Sequence, residues 1–190
     1  MTNINTDRKI GLFAPSGYGK SYLADRIVRS IRIPVMIYDT DYEATTKAYF
    51  RHPNVQIFRP EDTRSEDLDY LNEYLKTVTA MYTNRFIYVE DLDVFFDGNN
   101  QLGKEARLLK NIASKGRHHR IGFIYSAKQL AFIPSKLIGN TNLFYVGKFV
   151  AKQDVERLRN IVSMEEMDSL GEHEFWEIDR ISGTKRKIKV

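Results

Sequence analysis

The sequence predicts an α/β fold in which helices cover both faces of a mostly parallel β-sheet and a short β-hairpin follows at the C-terminus. Short apolar runs alternate with longer stretches in which apolar residues recur every three or four positions. Several of the short runs are apolar almost throughout, which is typical of the doubly buried strands of parallel sheets. The end of the chain differs, because two short segments flank the turn residues Ser182 and Gly183.

Six short apolar runs are expected to form the strands that precede the hairpin. In chain order they are residues 9–14, 34–39, 55–58, 85–89, 121–126 and 143–146. The two hairpin strands are expected at 174–179 and 186–190, on either side of the turn.

Helical spacing is found in the stretches between these runs. The predicted helices are 21–31, 67–81, 104–115 and 152–162, with a further helix candidate at 42–50. In the first of them, Leu23, Ile27 and Ile31 fall on one face, as expected for a helix that packs on a sheet. The polar, glycine-rich segment 96–103 is interpreted as a mobile loop beside the functional site.

These elements are expected to form a single domain over residues 1–190, with a core of about 8–172 and the hairpin at about 173–190. Hydrophobic residues make up 42% and charged residues 28%, which indicates a folded rather than a disordered chain. A net charge of +4 permits contact with a polyanion without requiring it. The absence of cysteine excludes disulfides and thiolate metal sites.

The location of the protein is predicted from what the sequence lacks. The polar start of the chain does not have the composition of a signal peptide. No apolar run approaches the roughly 20 residues that a membrane-spanning helix needs. We therefore expect an intracellular, cytoplasmic protein.

A phosphate-binding loop is predicted between the first strand and the first helix. Residues 14–21 read A-P-S-G-Y-G-K-S and match the P-loop pattern G-x-x-x-x-G-K-S/T, except that Ala14 replaces the first glycine. The backbone N–H groups of such a loop and the N-terminus of the following helix bind phosphates. Lys20 is expected to reach the β- and γ-phosphates of ATP or GTP, and the Ser21 hydroxyl to bind Mg²⁺. The residues expected to contact the nucleotide are Pro15, Ser16, Gly17, Tyr18, Gly19, Lys20, Ser21 and Tyr22.

Two acidic residues follow the fourth predicted strand, where a Walker B motif would end. The sequence F-I-Y-V-E-D delivers Glu90 and Asp91 to the edge of the sheet that also carries the phosphate loop. One carboxylate would support the Mg²⁺ ion and the other would polarise the attacking water, which favours hydrolysis over transfer to an acceptor. We assign Glu90 to the metal and Asp91 to the water, but the usual order is Asp then Glu, so an exchange of roles stays open. Asp93 is a third acidic candidate.

A longer segment, residues 116–139, indicates a particular group of P-loop ATPases. Residues 116–139 read GRHHRIGFIYSAKQLAFIPSKLIG: an Arg-His pair, a strand that ends in small polar residues, and then Ile-Pro. This order resembles the FtsK–HerA superfamily of ring-forming, DNA-pumping ATPases. Over about residues 8–190 the chain also resembles the small genome-packaging ATPases of icosahedral archaeal viruses, in which a short β-rich end follows the core.

The resemblance implies roles for three further residues. Arg117 matches the arginine of the Arg-His segment, which can reach the γ-phosphate bound by a neighbouring subunit. The family glutamine aligns with Lys128, and Gln129 follows directly. Either a shift of one position restores Gln129 to that role, or Lys128 contacts the γ-phosphate in its place.

The resemblance also implies the cofactors, the partners and the activity. It implies ATP and Mg²⁺ as cofactors, a homo-oligomeric ring, a hexamer by analogy, and double-stranded DNA as the substrate. It further implies a capsid or membrane component of a virion as partner, and the host cytoplasm or virion as location. The basic residues available for DNA contact are Lys115, Arg117, Arg120, Lys128, Lys136, Lys148, Lys152, Lys185, Arg186, Lys187 and Lys189.

Three other functions share parts of this pattern. A small-molecule kinase would also carry the phosphate loop, although no arginine-rich lid is evident in the sequence. A nucleotide-dependent binding module without turnover, such as an initiator or partition protein, would bind ATP but not release phosphate. A conjugation-type DNA pump would have the same chemistry and differ in the DNA that it moves.

Overall fold

A single twisted sheet forms the centre of the protein. The computed structural model describes residues 4–40, 51–61, 63, 65–96 and 107–190, with Arg107 and Arg117 described by their backbone alone. The strands are β1 (Lys9–Phe13), β2 (Val35–Tyr38), β3 (Val55–Phe58), β4 (Arg85–Val89), β5 (Ile121–Ala127), β6 (Leu143–Val146), β7 (Glu174–Asp179) and β8 (Thr184–Lys189). Within these residues the sheet order is β3–β2–β4–β5–β1–β6–β7–β8.

The first six strands run parallel, and the last two run antiparallel to their neighbours. β1 pairs in parallel with β5 and with β6, and β4 pairs in parallel with β5 and with β2. β7 pairs antiparallel with β6 and with β8, so the hairpin extends the sheet instead of standing apart from it. The predicted parallel sheet with a C-terminal hairpin is confirmed.

Helices cover both faces of the sheet, as the sequence predicts. They are α1 (Lys20–Ser30), α2 (Leu68–Met81), α3 (Arg107–Lys115), α4 (Ser135–Asn140), α5 (Lys152–Leu158) and α6 (Met164–Asp168). Helix α1 packs its buried Leu23 and Ile27 on one face, against Ile10 and Leu12 of β1. The other described helices pack on the opposite face, to which Phe13 contributes because successive side chains of a strand alternate between faces.

The C-terminal third departs from the predicted helices. The helix predicted over 152–162 ends at Leu158, and α6 begins after Ser163. A capping box explains the break: Ser163 accepts a hydrogen bond from the backbone of Glu166, while the Glu166 side chain accepts one from the backbone N–H of Ser163. The short α4 was not predicted. The candidate helix at 42–50 and most of the segment 96–103 lie outside the described residues.

The turn of the hairpin lies where the sequence indicates it. Gly183 has a φ of 73°, a left-handed conformation that glycine adopts readily. Strand β8 begins at Thr184, earlier than predicted, and pairs along the whole of β7. A buried ion pair between Arg8 Nη1 and Asp179 Oδ1, 2.6 Å apart, links the start of β1 to the end of β7.

None of the helices within the described ranges has both the length and the apolarity that a bilayer crossing requires.

Candidate nucleotide site

The phosphate loop lies at the carboxyl edge of the sheet, between β1 and α1. Gly17 and Gly19 have φ angles of 76° and 91°, which are left-handed conformations, and Gly19 directly precedes α1. The first hydrogen bond of the helix joins the Leu23 N–H to the Gly19 carbonyl at 3.0 Å. The two glycines thus give the loop the backbone shape that a phosphate-binding loop requires.

Ala14 is accommodated in place of the usual first glycine because a glycine faces it. Its side chain is fully buried, and its backbone N–H donates to the Ala127 carbonyl at the end of β5. A Cβ atom on Gly147, which follows β6, would lie 2.9 Å from the Cβ of Ala14. Gly147 therefore provides the space that Ala14 occupies.

Lys20 and Lys128 both bind the carboxylate of Asp91. The Lys20 Nζ lies 3.1 Å from Asp91 Oδ1, and the Lys128 Nζ lies 2.9 Å from Asp91 Oδ2. Lys20 and Asp91 are buried, whereas the Lys128 side chain is about one-third exposed. The structure thus brings together three of the predicted catalytic residues, which come from α1, the end of β4 and the end of β5.

Ser126 fixes the backbone of Asp91, and sequence reasoning missed it. The Asp91 N–H donates to Ser126 Oγ at 2.8 Å, and Asp91 adopts a left-handed φ of 41°. β5 lies between β4 and β1 in the sheet, so the last residues of β5 lie between the acidic pair and the phosphate loop. The small polar patch at the end of the fifth predicted strand was the signal that could have identified this residue.

Glu90 occupies a different environment from Asp91. It is buried, its Oε1 accepts a hydrogen bond from the Tyr88 hydroxyl at 3.4 Å, and its carbonyl accepts one from Thr40 at 3.1 Å. The two acids therefore differ in their partners: Asp91 faces the cations of the phosphate loop and of β5, and Glu90 contacts Tyr88. The division of roles between them stays a prediction from the sequence.

Asp93 holds the backbone that follows β5. Its carboxylate accepts hydrogen bonds from the backbone N–H groups of Lys128, at 3.1 and 3.2 Å, and of Gln129, at 2.8 Å. Burial raises the pKa of Asp93, the two backbone N–H groups oppose that rise, and nearby Asp91 adds to it. Asp93 thus positions Lys128 through its backbone, while Asp91 binds its side chain.

Three other predicted residues are exposed or lie at the opposite edge of the sheet. Gln129 is exposed, and the Tyr22 side chain is 69% exposed on the first turn of α1. Arg117 lies in a 3₁₀ turn (Gly116–His119) just before β5, at the amino edge of the sheet. Since β5 has seven residues at about 3.3 Å each, roughly 20 Å separates this turn from the carboxyl edge.

The chemistry of the donor groups suits Mg²⁺. This ion prefers oxygen ligands and commonly retains water and substrate phosphates in its shell. Ser21 at the start of α1 and the carboxylates of Glu90 and Asp91 are such donors at one edge of the sheet. In the part of the chain that the structure describes, no three His, Cys, Asp or Glu side chains are grouped so as to hold a metal ion. A nucleotide-borne Mg²⁺, held by one hydroxyl and one acid, does not require such a group.

Comparisons with known proteins identify the fold. No protein-family model and no curated protein matches the sequence. The genome packaging NTPase B204 from Sulfolobus turreted icosahedral virus 2, solved in complex with ATP-gammaS, superposes with a TM-score of 0.78 at 14% identity over 98% of both chains. ATPases 2 and 3 of EssC from Geobacillus thermodenitrificans superpose with a TM-score of 0.65 at 16% identity, over 91% of this chain and 38% of EssC.

A third similar structure is TcpA, the conjugation coupling protein of pCW3, with a TM-score of 0.61 at 13% identity over 98% of this chain and 61% of TcpA. The chain has the fold of a P-loop NTPase, and its likeness to B204 extends over both chains almost completely. The predicted resemblance to the FtsK–HerA-like packaging ATPases is therefore confirmed at the level of the fold.

Proposed function

We propose that the protein is an ATP-hydrolysing motor that moves double-stranded DNA, as in packaging a viral genome into a capsid. The observation that carries the proposal is the convergence of Lys20 and Lys128 on Asp91 beside a phosphate loop of the correct backbone shape. The fold likeness to B204, described as a genome packaging NTPase, supports the choice of this motor class over other P-loop enzymes.

Binding of ATP is expected to redistribute the two lysines. Each of them is paired with the same carboxylate, so the phosphates of ATP compete with Asp91 for Lys20. The long, charged side chain of Lys20 can follow the β- and γ-phosphates, while Lys128 keeps Asp91 paired. The same exchange releases one Asp91 oxygen to accept a hydrogen bond from water.

The acids and Ser21 supply the rest of the chemistry. Mg²⁺, bound with the nucleotide, neutralises charge on the phosphates, and Ser21 and Glu90 would hold it. Asp91 would orient and polarise the attacking water, with Lys128 or Gln129 near the γ-phosphate. Asp91 contacts Lys20 of the phosphate loop and Glu90 contacts Tyr88, so substitution of each acid tests its role separately.

Arg117 would act on the site of a neighbouring subunit. Its backbone lies at the amino edge, roughly 20 Å from the carboxyl edge that carries its own phosphate loop. In a homo-oligomeric ring the amino edge of one subunit can face the nucleotide of the next. A planar, permanently charged guanidinium suits a transferring phosphoryl group.

The basic residues differ in their availability for DNA. Lys185 and Lys187 of β8 fold back on α6, where Lys185 Nζ lies 2.5 Å from Glu166 Oε2 and Lys187 Nζ donates to the Ser169 carbonyl at 2.7 Å. Lys136 and Lys152 are instead exposed to solvent. We therefore propose Lys136 and Lys152, in preference to the hairpin residues Lys185 and Lys187, as contacts for the DNA backbone.

A conjugation-type DNA pump is the second candidate, and the fold likeness to TcpA favours it. The two candidates share ATP hydrolysis and DNA movement. A partition protein or a binding module without turnover would bind nucleotide at the same site but release no phosphate.

The proposal is tested by phosphate release from Mg²⁺-ATP, with and without linear double-stranded DNA, over rising salt. We expect DNA of any sequence to stimulate turnover, and the stimulation to fall steeply with salt as phosphate contacts are screened. A rate of phosphate release that DNA does not change, or stimulation by one short sequence alone, would count against a packaging motor. Binding of ATP without phosphate release would instead support the binding module.

A further inference from the structure

We infer that the C-terminal hairpin positions the phosphate loop, and that Tyr18 is the residue through which it does so. The inference rests on the proposed ATP site and adds a part of the chain that the P-loop motif does not include. Tyr18 lies between Gly17 and Gly19, which are the two loop residues with left-handed φ angles. Because glycine constrains the backbone least, this part of the loop needs external contacts to keep one shape.

The segment that precedes β7 forms hydrogen bonds with both the side chain and the main chain of Tyr18. The Tyr18 hydroxyl donates to the Gly171 carbonyl at 2.5 Å. Nδ1 of His173 lies 3.2 Å from the Tyr18 carbonyl, so an Nδ1–H of His173 donates to the loop backbone. One residue of the loop is thus held at its side chain and at its main chain by a segment more than 150 positions later.

The Tyr18 ring fills a slot formed by the hairpin and the residue after β6. It packs edge-on against Phe175 of β7, with 5.5 Å between ring centroids. On the other side, a Cβ atom on Gly147 would lie 2.7 Å from Tyr18 Cδ1, so this position has room for a glycine only. Burial raises the pKa of Tyr18, and a backbone hydrogen bond from Lys148 opposes the rise.

The end of the chain adds contacts at Gly19 and α1. A Cβ atom on Gly19 would lie 3.1 Å from Val190 Cγ2 and 3.3 Å from His173 Nδ1. Arg26 of α1 donates to the Lys189 carbonyl at 3.2 Å. The hairpin therefore borders the loop at Tyr18 and Gly19 and contacts α1 in its second turn.

This arrangement has a consequence for binding. A loop that is held in its phosphate-binding shape loses less conformational freedom when the phosphates bind. The hairpin contacts are expected to contribute to affinity for the triphosphate and not to the chemical step, which uses Lys20 and the acids. Loosening Tyr18 should therefore raise the Kd and the KM for ATP and leave kcat nearly unchanged.

The test compares Tyr18→Phe with two matched controls in the full chain. Tyr18→Phe removes the hydroxyl and keeps the ring. Tyr82→Phe removes a hydroxyl at the C-terminal end of α2, beside Arg85 and away from the loop. Trp176→Phe removes the hydrogen bond from Trp176 Nε1 to the Glu166 carbonyl, which anchors the hairpin to α6 on its far side. The last control separates loss of hairpin stability from loss of loop positioning.

Three quantities are measured for each variant: the Kd for Mg²⁺-ATP, the Kd for inorganic triphosphate, and steady-state turnover. Tyr18→Phe is expected to raise both Kd values and the KM about three- to tenfold, with kcat within about twofold, since the hydrogen bonds of the hydroxyl to Gly171 and Lys148 are lost. Both controls are expected to bind as the wild type does, even where Trp176→Phe lowers the Tm.

Each other outcome contradicts the inference in an identifiable way. Unchanged Kd values in Tyr18→Phe, beside a wild type that binds ATP, would overturn it. Weaker ATP binding with unchanged triphosphate binding would indicate that Tyr18 contacts the nucleoside part of ATP and does not position the phosphate loop. If Trp176→Phe weakened ATP binding as much as Tyr18→Phe does, the weaker binding would follow from the stability of the hairpin and not from the Tyr18 hydroxyl. A wild type that binds neither ligand would refute the proposed function itself.

Discussion

At the scale of single residues, the site depends on how the carboxylate of Asp91 is shared. Lys20 and Lys128 each occupy one of its oxygens, and Ser126 fixes its backbone. These partners come from α1 and from the end of β5, so all three are far from Asp91 in sequence. The sequence could predict Lys20 and Asp91 from their motifs, because each motif is local. It left Lys128 and Gln129 as alternatives, and only the spatial proximity of β4 and β5 distinguishes their positions.

Asp91→Asn and Glu90→Gln are expected to fail in different ways. Asp91→Asn should stop hydrolysis while the protein still binds Mg²⁺-ATP, because an amide orients water poorly but leaves the metal side intact. Glu90→Gln should weaken the dependence of ATP binding on Mg²⁺. Phosphate release and nucleotide binding with and without Mg²⁺ measure the two effects.

The exposed acid Asp69 on α2 offers a matched control, and Asp69→Asn should behave as the wild type. If the two phenotypes are exchanged, the roles of Glu90 and Asp91 are reversed. Normal turnover in both variants would refute the assignment of either acid to the reaction.

At the scale of elements, the segment after β5 is fixed from two sides. Asp93, after β4, accepts the backbone N–H groups of Lys128 and Gln129. From α5, the buried Asp154 accepts the Ala131 N–H at 2.9 Å, and Arg157 donates to the Leu130 and Ile133 carbonyls. The position of Lys128 is thus linked to α5, an element at the protein surface. No local sequence pattern indicates such a link, because its members are single polar residues in separate elements.

Asp93→Asn is expected to lower both stability and turnover. The amide offers one acceptor oxygen where the carboxylate uses two, and it places an N–H group near backbone donors. An unsatisfied buried donor costs about 1–3 kcal/mol of the free energy of unfolding. Turnover should fall because Lys128 is displaced from Asp91. Chemical denaturation and phosphate release measure the two losses, and wild-type values for both would show that Asp93 does not position Lys128.

The boundaries of elements illustrate what local patterns can predict. Strands β3, β4 and β6 begin and end where their apolar runs do. Burial on both faces explains this for the central strands β4 and β6, whereas β3 is a partly exposed edge strand. The predicted helix 152–162 was too long, because its apolar spacing continues past the point where Ser163 caps a new helix. The contacts of Tyr18 with the hairpin could not be predicted at all, since the P-loop pattern treats that position as variable.

At the scale of the whole molecule, the sheet separates the phosphate loop from Arg117. The phosphate loop, the acidic pair and Lys128 lie at the carboxyl edge, and the turn that carries Arg117 lies at the amino edge. Arg117 is therefore far from the phosphate loop of its own subunit. This arrangement suits an assembly in which each subunit completes the site of its neighbour.

Arg117→Ala is expected to bind ATP normally and to hydrolyse it poorly. Nucleotide binding uses the phosphate loop of the same subunit, whereas the arginine would be supplied by the next one. An arginine of this kind contributes roughly three to five orders of magnitude in rate. Equilibrium binding and phosphate release by the purified variant test this expectation. Near-normal hydrolysis would show that Arg117 is a surface residue that takes no part in the reaction.

A mixing experiment sharpens the test. Arg117→Ala subunits keep intact phosphate loops, and Lys20→Ala subunits keep their arginines. Where a Lys20→Ala subunit presents Arg117 to an Arg117→Ala site, one complete site forms, so mixtures of the two inactive variants should regain some turnover. The regained activity should be absent when either variant is mixed with itself.

The central claim is that this site hydrolyses ATP, and the turnover of Lys20→Ala tests it most directly. The variant should remain folded, because Lys128 still pairs with Asp91 when Lys20 is removed. We expect phosphate release to fall at least about a hundredfold, since the cation on the β- and γ-phosphates is lost, while the exposed control Lys76→Ala keeps wild-type turnover. A folded Lys20→Ala protein that releases phosphate at the wild-type rate would contradict the account.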